Sequence, residues 1–147
     1  MTTRCKPVIL IFLFLCINFA GSPSGFSQPK KSVKPPPDPN RIALEYAVVC
    51  ESIKDFAPQN EAVVFSMSIK RVNCFTFFEP VTETTFIYHD WYFHDKLTAR
   101  VKLTLKAPSW KTYSTIQLRE SDKGPWRIEI TDPQGRLFKV LRFSIVD

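Results

Sequence analysis

The chain is poor in the residues that most active sites and metal centres require. It has 4 glycines and 2 histidines in 147 residues, and after residue 40 only Gly124 and Gly135 remain. No glycine-rich loop is available to form an oxyanion hole. Zinc takes three or four protein ligands, and His89 and His94 would already account for both histidines. We therefore expect no catalytic residues, no metal site and no cofactor.

The chain also lacks an apolar run long enough to span a membrane. Its longest run, Val8–Ile17, has ten residues, whereas a spanning helix needs about 20. Arg4 and Lys6 precede this run and small residues follow it, which is the order of a secretory signal peptide. We predict that residues 1–27 are a signal peptide and that the protein is periplasmic or secreted. The alternative is an uncleaved anchor in the inner membrane formed by residues 8–20.

Strong charge of either sign is missing from the remainder of the chain. Residues 28–39 contain five prolines and three lysines, which predicts an extended, solvated linker. Residues 40–147 carry 15 Lys and Arg against 13 Asp and Glu, a net charge of +2. This stretch of 108 residues suits one domain with one core. It has too little excess positive charge for nucleic-acid binding.

Alternation of apolar and polar residues is the main pattern of the predicted domain, and no stretch shows a helical period. Leu97–Lys106 places apolar side chains on odd positions and polar ones on even positions, as expected for a strand with one buried face. About seven or eight such strands predict an all-β, immunoglobulin-like antiparallel β-sandwich. The predicted strands are Ile42–Ile53, Val63–Ile69, Asn73–Phe78, Thr84–Phe93, Leu97–Lys106, Trp110–Leu118, Trp126–Thr131 and Leu137–Val146.

Three tryptophan motifs follow one another in the last two-thirds of the chain. They are His89–Phe93, Ser109–Ser114 and Gly124–Ile130, followed by Asp132, Gly135 and Phe143. In this order they resemble the bacterial family called "domain of unknown function 2914", over roughly residues 45–147. The resemblance implies a small extracytoplasmic β domain, often behind a membrane segment, and it implies no established activity. His94-Asp95 stands where the family is expected to have Asn-Gly or Gly-Gly.

Aromatic residues are the one surplus, and the favoured interpretation is that they fill the core of the sandwich, whereas an exposed row of Trp and Tyr would form a binding platform. The favoured interpretation is a non-catalytic, exported envelope module that is structural or binds an envelope protein. The alternative is a glycan-binding module that uses exposed Trp and Tyr side chains. A hydrolase built on Ser109 or Ser114 with His89 is less favoured, because the adjacent Asp90 would point to the opposite face. The candidate binding residues are Tyr88, Tyr92, Arg100, Lys102, Lys111 and Tyr113.

The hairpin around His94 decides which of these side chains face the core. A two-residue turn would place Tyr92 opposite Leu97, and a three-residue turn would place Trp91 opposite Ala99. We predict the three-residue turn, His94–Lys96, because it buries Trp91 with its apolar neighbours. His89 is then partly buried and hydrogen-bonded, Asp90 lies near Arg100 in solvent, and Tyr88 and Tyr92 are exposed.

Two further predictions concern single residues of the domain. Cys50 and Cys74 would remain after signal cleavage and could form a disulfide in an oxidising compartment. The alternative is two buried free thiols. Trp126 shares its strand face with Ile128 and Ile130, so we predict that it belongs to the core.

Overall fold

A computed structural model of the protein describes residues 42–147. The predicted signal peptide (1–27) and linker (28–39) lie outside the described residues. No helix within residues 42–147 is long and apolar enough to cross a membrane. The described residues form nine strands and two short 3-10 turns. The strands are β1 (Leu44–Lys54), β2 (Ala57–Glu61), β3 (Val64–Ser66), β4 (Arg71–Phe78), β5 (Thr85–Phe93), β6 (Lys96–Leu105), β7 (Trp110–Gln117), β8 (Gly124–Thr131) and β9 (Leu137–Val146).

The strands form two sheets that enclose the core. One sheet has the order β2-β1-β4-β7 and the other the order β3-β9-β8-β5-β6. All neighbouring strands are antiparallel except β3 and β9, which are parallel. In immunoglobulin lettering, β4 and β7 match strands B and E, while β9, β8 and β5 match G, F and C. The predicted all-β sandwich is therefore confirmed, with nine strands instead of seven or eight.

Alternating residues of the long strands fill the space between the sheets. Trp126, Ile128 and Ile130 of β8 are buried, which confirms that Trp126 is a core residue. Trp91 of β5 is completely buried, at the strand that carries the core tryptophan in immunoglobulin domains. The ring of Phe143 packs against the rings of both Trp91 and Trp126, with centroid distances of 6.2 and 6.1 Å.

The structure differs from the predicted strands at β2 and at β3. β2 was not predicted, because Pro58 and Asn60 are poor strand formers, and it forms only at a sheet edge. The strand predicted at Val63–Ile69 is limited to β3, since residues 67–69 form a 3-10 turn. Val63, included in the predicted strand, lies before β3 and is exposed.

The predicted three-residue turn between β5 and β6 is wrong, although the predicted pairing of Trp91 with Ala99 is correct. Phe93 pairs with Lys96, so the turn is His94-Asp95, and both turn residues have positive φ. Tyr92 pairs with Leu97, but Trp91 pairs with Ala99, which leaves Thr98 as a bulge. The bulge restores the register that the longer turn would have given. It also places Leu97 on the outer face, where it is exposed instead of buried.

Candidate functional site

A serine and a histidine meet inside the sandwich, as a hydrolase would require. His89 of β5 and Ser114 of β7 face each other, with 2.8 Å between His89 Nδ1 and Ser114 Oγ. The other ring nitrogen, Nε2, lies 3.3 Å from Thr76 Oγ1. Trp91 Nε1 donates to the same serine oxygen over 3.0 Å. The pair therefore belongs to a network that links the two sheets.

The proton positions in this network follow from its hydrogen-bond partners. Ser114 Oγ accepts a hydrogen bond from Trp91, so its own O–H can donate a hydrogen bond to His89 Nδ1. His89 then carries its proton on Nε2 and donates to Thr76, which donates to the Thr112 carbonyl. Burial lowers the pKa of His89 to about 3, since the charged ring would lose its hydration. The histidine is thus neutral and fully paired.

This pair has no access for a substrate. His89 is completely buried and Ser114 nearly so, and neither residue lines a described cavity. Asp90 lies on the opposite face of β5, where Arg100 binds its carboxylate through two bonds of 2.6 and 2.7 Å. A serine–histidine–aspartate triad is therefore not assembled here. His89 is more deeply buried than predicted, and Asp90 is buried under Arg100 and not in solvent.

Four of the predicted binding residues lie together on the outer face of the five-stranded sheet. Arg100 lies over the ring of Tyr88, and Lys102 lies over the ring of Phe86. Arg127 covers the ring of Tyr92 at 4.0 Å. Tyr88 and Tyr92, which were predicted to be exposed, are therefore only partly exposed. Cations cover these rings and leave no open platform on which a sugar ring could stack.

The other two predicted residues, Lys111 and Tyr113, lie on the outer face of the four-stranded sheet. They pair with Phe77 and Phe75 of β4. Phe56, at the tip of the β1–β2 hairpin, joins them and was not predicted. A cavity of about 360 Å³ is lined by Phe56, Phe77, Ser109, Trp110 and Lys111. We call it the aromatic cavity. A second cavity of about 290 Å³ is lined by Ile53, Asp55, Phe56 and Tyr113.

Polar contacts hold the β1–β2 hairpin over this face. Asn73 of β4 donates from its side-chain amide to the Glu51 carbonyl over 2.9 Å. Thr115 of β7 donates in turn to the Asn73 side-chain carbonyl over 2.6 Å. Phe56 remains 65% exposed and lines both cavities. The predicted binding residues are thus divided between two outer faces, and the face with Phe56 carries the exposed aromatic side chains of Phe56 and Tyr113.

The four sheet edges differ in how they are protected against strand pairing. β6 carries the bulge at Thr98 and three cationic side chains, β2 contains Pro58, and β3 has only three residues. These are recognised devices that blunt an edge. β7 has eight residues, a regular register with β4, no proline and a single charge, Lys111. It is the least protected edge of the described domain.

The alternation of hydrogen bonds shows which groups β7 presents at its free edge. Leu118 donates its backbone N–H to the Lys70 carbonyl, so even-numbered residues of β7 point their backbone groups toward β4. The odd-numbered residues Lys111, Tyr113, Thr115 and Gln117 direct theirs outward. Among the described strands, only β4 pairs with β7. These outward groups form a row that an added strand could use.

The two cysteines of the described region are free and buried. Cys50 pairs with Asn73, and Val49 pairs with Cys74, so the two thiols point to opposite faces of the sheet. Burial raises the pKa of Cys50 to about 11 and that of Cys74 above its usual range. The disulfide considered possible from the sequence is not formed, and the other expectation, two buried free thiols, describes the structure. Residues 42–147 contain no cluster of three or more His, Cys, Asp or Glu side chains that could hold a metal ion.

Comparison with known proteins gives a family without an assigned function. Residues 84–145 match the family described as "Protein of unknown function (DUF2914)". This match confirms the resemblance carried by the tryptophan motifs, over a shorter range than the predicted 45–147. DUF2914 covers β5 to β8 and nearly all of β9. The matched region therefore includes β7 but not Phe56 or Phe77. No curated protein matches the chain.

Proposed function

We propose that this domain is a non-catalytic protein-binding module of the cell envelope, and that its partner adds a strand to the free edge of β7. The observation that carries this proposal is the contrast between β7 and the other three edges. An extended partner segment would bond to the outward N–H and C=O groups of β7. The bulged, cationic β6 and the short β2 and β3 offer poorer templates.

The other parts of the proposal have separate support. The envelope location rests on the signal peptide predicted at residues 1–27. The absence of catalysis rests on the closed environment of His89 and Ser114, which are neutral, mutually paired and shielded from substrate. Protein binding is favoured over a purely structural role because exposed apolar side chains lie beside β7. Phe56 and Tyr113 are 65% and 42% exposed, and neighbouring exposed apolar side chains are typical of an interaction surface.

Site-specific photocrosslinking in cells tests the proposal. A photoreactive amino acid at Gln117, which is exposed on β7, is expected to form an adduct with a protein of the envelope. The same group at Thr104, exposed on the protected β6, should form little or none. Thr115→Pro removes one outward N–H without removing a bond to β4, so it should abolish the adduct at Gln117.

Thr115→Ala is the matched control, because it loses the same hydrogen bond to Asn73 but keeps the backbone N–H. This variant should retain the adduct. A folded Thr115→Pro variant that still crosslinks at Gln117 would refute strand addition at β7. Equal adducts at Gln117 and Thr104 would show that the edge has no specificity.

A glycan-binding module is the second candidate, supported by the tyrosines on the same outer face. Tyr46 and Tyr113 are both exposed, and Phe75 lies between them with its ring 6.3 Å from that of Tyr46. The neighbouring Glu61 carboxylate, together with burial, raises the pKa of Tyr46 to about 12. Binding of purified envelope glycans that is lost in Tyr46→Ala and Tyr113→Ala, but unaffected by Thr115→Pro, would favour this candidate.

A further inference from the structure

The aromatic cavity lies directly beside the edge at which the partner is proposed to add. Lys111 of β7 belongs to its wall, and the backbone N–H of Lys111 points to the free edge. Phe56, Phe77 and Trp110 supply the rest of its apolar surface. Its volume of about 360 Å³ is within the range of sites that bind small groups. A segment added along β7 would therefore pass the mouth of this cavity.

The conformation of Phe56 indicates that this side chain serves more than the fold. Asp55 and Phe56 form the two-residue turn of the β1–β2 hairpin, with φ of 51° and 53°. Turns with two positive φ angles favour Asn-Gly, and a bulky residue in this region is strained. The exposed ring recovers little burial in return. Such an outlier is a reason to look for a function at that position.

Two lysines give the cavity a positive rim. Lys111 lies on one wall, and the Lys106 ammonium lies 5.4 Å from the centre of the Trp110 ring. Within residues 42–147, neither lysine has a carboxylate at salt-bridge distance. Asp55 borders the neighbouring cavity and not this one. Aromatic walls with an unpaired cationic rim are complementary to an aromatic side chain that has an acidic neighbour.

We infer that the segment that adds to β7 is an acidic peptide which inserts one aromatic side chain between Phe56, Phe77 and Trp110 and pairs a carboxylate with Lys111. This inference rests on the proposed strand addition. Backbone bonds to β7 would supply the register, and the aromatic cavity would supply the specificity, as in other cases where a peptide extends a sheet.

Selection from a library of displayed ten-residue peptides tests the inference, with the chain purified from the envelope fraction as target. Peptides retained by the chain but not by its Thr115→Pro variant are sequenced. They should share an aromatic residue with Asp or Glu close to it. Binding of one selected peptide, followed by fluorescence polarisation, should weaken about tenfold or more in Phe56→Ala. Lys111→Glu should reverse the preference from an acidic to a basic neighbour.

Tyr46→Ala is the control, because Tyr46 is an exposed aromatic on the same face that does not line the aromatic cavity. It should change the affinity less than twofold. Selected peptides that need the intact β7 edge, yet bind Phe56→Ala as well as the parent chain, would overturn the aromatic anchor and leave strand addition standing. Failure to select any peptide that distinguishes Thr115→Pro from the parent chain would contradict both proposals.

Discussion

His89 shows how a residue that suggests catalysis can serve the core. Both of its ring nitrogens have hydroxyl partners, Ser114 and Thr76, and these three side chains come from three different strands. A neutral histidine fits this network because one nitrogen accepts and the other donates. Protonation would turn the acceptor nitrogen into a donor facing the Ser114 hydroxyl. Burial is the main cause of the lowered pKa of His89, and charging the ring would also leave the Ser114 hydroxyl proton without its acceptor.

This pairing predicts that His89 makes the domain sensitive to mild acid. The folded pKa is about 3, below the value of 6.5 for the free side chain. The unfolded chain therefore takes up a proton below pH 6.5 while the folded chain does not. As the pH is lowered from 6.5 to 3, the free energy of unfolding should therefore fall by about 1.4 kcal/mol for each pH unit.

Urea unfolding at a series of pH values measures this effect. His89→Gln should be less stable than the parent at pH 8 but should lose this contribution to the slope. Thr115→Ala, which removes a hydrogen bond outside this network, should keep the slope of the parent. Identical slopes for the parent and His89→Gln would mean that His89 is protonated in the fold.

At the scale of the element, the β5–β6 hairpin combines a tight turn with a bulge. Thr98 has no partner on β5, whereas the pairs on both sides of it are regular. The bulge interrupts the edge of the sheet, which helps to prevent pairing with other chains. The sequence predicted correctly that Trp91 lies opposite Ala99, but it contains no signal that locates an extra residue after a shorter turn.

Deletion of Thr98 should therefore be tolerated, because the core pairs on either side keep their faces. Deletion of Lys102, in the middle of the same strand, should shift every following side chain to the wrong face and prevent folding. Thermal unfolding of the two variants compares these effects. The Thr98 deletion should also self-associate more, since β6 loses its interruption. Equal loss of Tm in both variants would contradict the assigned register.

The β1–β2 turn offers a second test at this scale, in which stability and binding should change in opposite directions. Phe56→Gly removes the strain of a bulky residue at positive φ, and it places the favoured glycine in the turn. We expect a gain of about 0.5–1 kcal/mol in the free energy of unfolding. Partner binding at β7 should nevertheless weaken. A loss of stability in this variant would show that Phe56 supports the fold.

For the whole molecule, the sequence predicts the sandwich and much of its core but not the open face. The alternation of apolar and polar residues identifies Trp126, Ile128 and Ile130 as core residues, because a strand with one buried face has an apolar residue at every second position. It cannot identify the aromatic cavity, since Phe56 lies in a turn and its neighbours belong to β4 and β7, distant in sequence. Lys111 and Tyr113 were predicted as binding residues only from their type. Their grouping with Phe56 depends on the path of the β1–β2 hairpin.

The edges of the two sheets determine how the whole domain can meet a partner. β2, β3 and β6 are short, interrupted or charged, while β7 presents a regular row of backbone groups. The central claim is that these groups on β7 become hydrogen-bonded when the partner binds. All other features of the proposal, including the aromatic cavity, depend on that contact.

Amide hydrogen exchange at single-residue resolution tests this claim most directly. It is measured for the free protein and in an excess of the partner that photocrosslinking at β7 has identified. The amides of Lys111, Tyr113, Thr115 and Gln117 should exchange quickly in the free protein and become protected in the complex. The even-numbered amides of β7, already bonded to β4, should change much less, and so should the amides of β6. Unchanged exchange at the four odd-numbered residues, with new protection on another strand, would contradict strand addition at β7.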